Sequence, residues 1–226
     1  MKKILAAILA LILVSLACEK TTTYSPGGTG TGELKVLFAD NFSDPRSGWD
    51  RFQNENGVTN YSNIGYLIYV KTPNIIKWAN PSRKLPENVR IEVDAVRSEG
   101  PDNNAFGVIC RYKGTANFYY FYISSDGYAG IGRKASGSYR IISSPDGQLK
   151  PVSGVNKGNS SNHLRADCID NTLTLYVNGN RVAQATDSTF TAGDVGLITR
   201  SYDGGGVGVR FTNFYIYRPA IPSTKR

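Results

Sequence analysis

Two acidic residues, Glu92 and Asp94, stand two positions apart in the segment RIEVDAVR (90–97), with Glu99 just beyond. Paired carboxyl groups about 5–10 Å apart are the usual machinery of glycoside hydrolysis, one serving as acid and the other as base or nucleophile. On an extended strand that spacing puts both on one face and Val93 and Ala95 on the other. The same alternation describes the wet side of a half-buried strand, and that is the reading adopted here. His163 is the only histidine and follows a loop of small polar residues, GNSSN. No nucleophile elbow accompanies it, so a Ser-His-Asp site is not expected, and catalytic residues are none. A lone histidine and the lack of Cys-x-x-Cys spacing argue against a transition-metal site. Asp40, Asn41 and Asp44, and again Asp102, Asn103 and Asn104, carry oxygens of the kind calcium takes. Such clusters more often form backbone-bonded turns, so no cofactor is expected. The glycines at 204–206 mark a turn rather than a phosphate loop, because no strand-to-helix step surrounds them.

The elements that must hold these residues are strands. No window after residue 18 keeps a helical period, while glycine (24 residues) and tyrosine (14) are abundant. Asn178-Gly179 between TLTLYV and NRVAQA is the strongest hairpin signal, since Asn-Gly suits the two left-handed positions of a type I′ turn. Asp170-Asn171, Asp126-Gly127 and Pro145-Asp146-Gly147 separate further alternating runs. Strands are expected at 36–42, 65–70, 75–78, 89–97, 106–112, 195–199 and 208–217 as well, the first and last pairing. Antiparallel strands of this length in one uninterrupted run predict an all-β, two-sheet sandwich. Alternation places Cys110 with Phe106, Val108 and Tyr112, and Cys168 with Leu164 and Ala166, each on an apolar face. A disulfide between Cys110 and Cys168 is expected, across neighbouring strands or between sheets.

The first eighteen residues have a different character. Lys2 and Lys3 precede an apolar run from Ile4 to Leu16 that ends at Ala17-Cys18. A basic start, a short apolar stretch and a small residue before the cut describe an export signal. The run is too short to remain as a helix across a bilayer core of about 30 Å. With a cysteine at the cut, the segment resembles a bacterial lipoprotein signal, although Ser15 and Leu16 depart from the usual lipobox. The resemblance implies lipidation of Cys18 and an extracytoplasmic protein held on a bacterial membrane. Residues 1–17 are then the signal, 18–32 a flexible Gly/Thr-rich tether, 33–218 the folded domain and 219–226 a tail. The formal charge of +8 falls to +6 once Lys2 and Lys3 are removed. That excess favours anionic partners, but the basic residues are scattered and form no stripe, which argues against nucleic acid.

Six segments in order carry a resemblance to a family: DNFSDPRSGW (40–49), RIEVDAVR (90–97), AFGVICRY (105–112), NFYYFYISSDGYAGIG (117–132), NHLRADCIDNTLTLYVNG (162–179) and DVGLITR (194–200). Together they resemble the concanavalin A-like lectin/glucanase superfamily, in particular its bacterial laminin-G-like and 3-keto-disaccharide-hydrolase-like domains. The resemblance implies a jelly-roll sandwich with one curved sheet whose concave face can hold a glycan. Retaining glucanases of this fold follow Glu-x-Asp with a second glutamate, and here Ala95, Val96 and Arg97 fill that place. Parity puts Tyr119, Phe121 and Ile123 inside and Phe118, Tyr120 and Tyr122 on the opposite face. Arg111, next to inward-facing Cys110, is expected outside with Tyr120 and Tyr122. Aromatic rings stack on sugar rings and arginine donates in a planar fork, so Arg111, Tyr120 and Tyr122 form the expected ligand site, with Trp78 as a rim platform. For Trp78 the competing reading is plain packing, and Trp49 is expected as a buried anchor of the first strand. The expectation is a lipid-anchored module that binds carbohydrate or polysaccharide, including anionic forms, without catalysis. The alternatives are a cell-envelope interaction module and a glycoside or keto-sugar hydrolase.

Overall fold

The structure, a computed structural model, describes residues 34–219. The expected signal, lipidation at Cys18, the tether and the tail from 220 lie outside the described residues. In chain order the strands are β1 (Lys35–Asp40), β2 (Phe52–Asn54), β3 (Gly57–Ser62), β4 (Gly65–Val70), β5 (Ile76–Ala79), β6 (Val89–Glu99), β7 (Asn104–Tyr112) and β8 (Phe118–Ile123). There follow β9 (Tyr128–Ala135), β10 (Ser138–Ile141), β11 (Lys150–Pro151), β12 (Asn162–Ile169), β13 (Thr172–Val177), β14 (Asn180–Thr186), β15 (Asp194–Ser201) and β16 (Val207–Arg218). No helix occurs among the described residues. The nine-stranded sheet runs β14-β13-β12-β6-β16-β4-β3-β2, with β1 paired to β16. The seven-stranded sheet runs β10-β9-β8-β7-β15-β5, with β11 paired to β9.

Local sequence explains most of this arrangement. Asn178 and Gly179 both have positive φ, 49° and 84°, as a type I′ turn requires, and β13 pairs with β14 around them. In β6 the residues Val89, Ile91, Val93 and Ala95 are buried, while Arg90, Glu92 and Asp94 between them are partly exposed. β1 pairs with β16 and closes the two ends of the domain, as expected. Trp49 is buried and its indole nitrogen donates to Asp40 at the end of β1, at 3.0 Å. The Cys110–Cys168 disulfide joins β7 to β12 and therefore spans the two sheets. The short hairpin of β2 and β3 is an addition to the expected strands; its residues are largely polar and show no apolar alternation.

The oxygen-rich loops are built as turns. Asp40 accepts from the backbone of Phe42, Asn41 from Ser43, and Asp44 from Arg46. Asn104 donates to the carbonyl of Pro101 and accepts from the backbone of Ser125, while Asp102 pairs with Arg97.

Candidate functional site

β8 is buried along its whole length, on both faces. Tyr119, Phe121 and Ile123 belong to the core between the sheets. Phe118, Tyr120 and Tyr122 form a second apolar layer with Ala105, Ile109 and Ile198, on the side of the smaller sheet turned away from the core. A two-sheet sandwich needs only one apolar face per sheet, so this aromatic layer is an addition to what the core requires.

The layer is positioned strand by strand. Registers place Phe118 opposite Lys134, Tyr120 opposite Gly132 and Tyr122 opposite Gly130. Tyr120 lies across the bare backbone of Gly132, where an added Cβ would stand 2.0 Å from the ring. Over this floor stand half-buried side chains from four strands and one turn: Trp78, Tyr112, Lys134, Tyr139 and Tyr202, joined by Arg200. Trp78 packs 5.6 Å from the Phe118 ring, and its indole nitrogen faces the Tyr112 hydroxyl at 3.5 Å. The Lys134 ammonium lies 5.0 Å from the Trp78 ring centroid and 4.5 Å from that of Tyr139. The Arg200 guanidinium lies over the Tyr202 ring at 4.5 Å.

Burial raises the phenol of Tyr139 to about 12 and pushes those of Tyr122 and Tyr202 upward, while it lowers the Lys134 ammonium. The phenols of Tyr139 and Tyr202 therefore stay protonated at neutral pH and can donate hydrogen bonds. The hydroxyl of Tyr122 is fully buried and has no partner among the described residues.

The expected site residues divide on this geometry. Tyr120 and Tyr122 are on the expected face, but at 2 % and 1 % exposure they form its floor and are not open to solvent. They are covered because Tyr139, Ile141 and Leu149 pack over that layer. Trp78 does reach the surface of the face. Arg111 is elsewhere, and its expected outward position is corrected. It has φ of 53°, and β7 gains one residue against β15 between the pairs Ile109–Gly196 and Tyr112–Asp194. This bulge reverses the alternation after Cys110. Arg111 is consequently buried, donating to the carbonyls of Phe190 at 2.8 Å and Asp170 at 2.7 Å. Tyr112 takes the place on the aromatic face. Tyr112, Tyr139, Tyr202, Lys134 and Arg200 were missed in the sequence; pairing NFYYFYIS with YAGIGRK across the Asp126-Gly127 turn would have found Lys134.

The other polar cluster lies on the outer face of the larger sheet, where Glu92 and Asp94 point as expected. The Nδ1 of His163 is 2.7 Å from Asp94 Oδ1, and Nε2 is 3.8 Å from Glu92 Oε2. Asn213 donates to the other oxygen of Asp94 at 2.8 Å. The bond between them raises the pKa of His163 and lowers that of Asp94. Among the described residues no hydroxyl is bonded to the His163 ring, and no cluster of His, Cys, Asp and Glu could hold a metal ion.

No protein family and no curated protein matches the sequence. Solved structures do match in fold. The carbohydrate-binding module CBM66 from Bacillus subtilis superposes with a TM-score of 0.59 at 18% identity, covering 75% of this chain and 95% of that one. A protein of unknown function with a galectin-like fold from Bacillus subtilis gives 0.57 at 8%, covering 81% and 96%. The β-glucanase of Bacillus licheniformis gives 0.57 at 14%, covering 84% and 100%. These likenesses establish the fold as a concanavalin A-like jelly-roll sandwich, a scaffold on which unrelated activities are grafted.

Proposed function

We propose that this concanavalin A-like domain binds carbohydrate, without catalysis, on the outer aromatic face of its smaller sheet. The observation that carries the reading is the second aromatic layer, with Trp78, Tyr112, Tyr139 and Tyr202 half-open above Phe118, Tyr120 and Tyr122. Flat rings receive the C–H faces of pyranoses, and protonated phenols and an indole N–H at the same level serve the hydroxyls. The presence of a carbohydrate-binding module among the structural neighbours supports it. The apolar segment before Cys18 supports export and lipid anchoring, which would present the face outside the cytoplasm. A thermal-shift screen against neutral and acidic oligosaccharides tests the reading, since a ligand of the folded state raises the melting temperature by an amount that grows with the logarithm of its concentration above its dissociation constant. A concentration-dependent rise with one sugar class is expected. A flat response across the panel transfers the assignment to an envelope interaction module.

One observation favours a second reading. His163 lies between two carboxylates on the outer face of the larger sheet, 2.7 Å from Asp94 and 3.8 Å from Glu92, and a β-glucanase shares the fold. Release of reducing sugar from β-glucan, abolished in Glu92→Gln, would establish hydrolysis there.

A further inference from the structure

We infer that the aromatic face takes a uronic-acid oligosaccharide, with Lys134 and Arg200 as the residues that recognise its carboxylates; the inference rests on the reading of this face as glycan-binding. Both sheets carry paired cations, and on the smaller one Arg133 bonds Asp187 at 2.6 Å. On the larger sheet Arg90 and Arg165 both pair with Asp167, and His163 sits between Asp94 and Glu92. Among the described residues neither Lys134 nor Arg200 forms an ion pair, and neither head group makes a side-chain hydrogen bond.

Lys134 is surrounded by ring faces rather than acids: Tyr139, Trp78 and Phe118 at 4.5, 5.0 and 5.7 Å. Those contacts steady the cation but leave its three N–H donors uncommitted. Arg200 keeps a buried Nε without a partner among the described residues while its plane rests on Tyr202. Its positive charge acts on the phenols of Tyr120, Tyr122, Tyr139 and Tyr202, so the field extends over the aromatic floor. A partly desolvated cation without a counter-charge is costly, and a carboxylate arriving with the ligand removes that cost. A uronate matches both halves of the surface. Its pyranose presents a C–H face to the rings and its carboxylate projects at the ring edge, where a guanidinium fork or an ammonium meets it.

The test is calorimetric titration of the full-length protein in detergent with short oligogalacturonates and oligomannuronates, each beside its methyl ester. Esterification removes the charge while keeping the ring faces, and it leaves the protein untouched. At least one acid is expected to bind, with affinity falling about tenfold on esterification, on Lys134→Met and on Arg200→Met, and falling further with added salt. Equal binding of acid and ester, or binding of neutral oligosaccharides alone, overturns the acidic specificity while the glycan reading stands. If neither acids nor neutral sugars bind, both fail.

Discussion

The guanidinium of Arg111 and the carbonyl of Asp170 meet at 2.7 Å, tying the bulged end of β7 to the turn between β12 and β13. The same side chain also holds the carbonyl of Phe190, in the connection between β14 and β15. Arg111 is thus a buried clamp on loops from both sheets. Arg111→Ala leaves these carbonyls unpaired and should destabilise the domain by about 3 kcal/mol, read from the denaturant midpoint. Ligand affinity in the folded variant should be unchanged; a loss of affinity at unchanged stability would contradict the assignment.

Gly132 makes room for the Tyr120 ring, and a methyl group there would collide with it. Gly132→Ala should therefore shift Tyr120 and its neighbour Tyr139, lowering stability by about 1–3 kcal/mol and weakening glycan binding. Near-ultraviolet circular dichroism would register the disturbed rings. An unchanged spectrum and stability would show that the floor is not packed as described.

Much of the fold was legible in the residues, and the reason is local. Asn178-Gly179 dictates its own turn, and the alternation of Val89, Ile91, Val93 and Ala95 is a direct image of β6 lying half-buried. Cys110 and Cys168 could be placed facing inward by the same parity. The site was less legible because it depends on a single register shift. Parity propagates along a strand only until one residue leaves the pleat, and at Arg111 it does so. Everything beyond that point changes face, which exchanged Arg111 for Tyr112. Nor does alternation say whether an outward side chain meets water or another layer. Tyr120 and Tyr122 were assigned the correct face, and only the tertiary placement of Tyr139, Ile141 and Leu149 shows that they are covered.

The disulfide closes a loop of 58 residues between the two sheets. On the chain-entropy account a cross-link of that span contributes about 4 kcal/mol. Reduction, or the double variant Cys110→Ala with Cys168→Ala, should move the denaturant midpoint down by a corresponding amount. A reduced protein as stable as the oxidised one would show that the sheets need no cross-link.

His163, as the only histidine, gives an isolated imidazole signal in a proton NMR titration. Its pKa should lie above the ordinary 6.5, because the bond to Asp94 favours the charged ring, with Glu92 assisting and Arg165 opposing. The stabilisation from a raised histidine is complete below about 6.5 and disappears as pH rises through the folded value. Asp94 is lowered from 3.8, so its share is present above 3.8 and disappears as pH falls through its folded value. The pair therefore stabilises most between those limits, by about 0.2–1 kcal/mol for a half-exposed contact. Asp94→Asn should bring the titration midpoint down; an unmoved midpoint would mean that the pair does not form.

The central claim is that the aromatic face of the smaller sheet is the binding surface. The most direct measurement compares oligosaccharide binding, by calorimetry, in Trp78→Ala and Tyr139→Ala with that in Tyr215→Ala. Tyr215 is exposed on the larger sheet, stacked on Tyr217. Affinity should fall by at least about tenfold in the first two variants and stay unchanged in the third. Affinity kept in Trp78→Ala and Tyr139→Ala but lost in Tyr215→Ala would place the ligand on the opposite sheet and contradict the account.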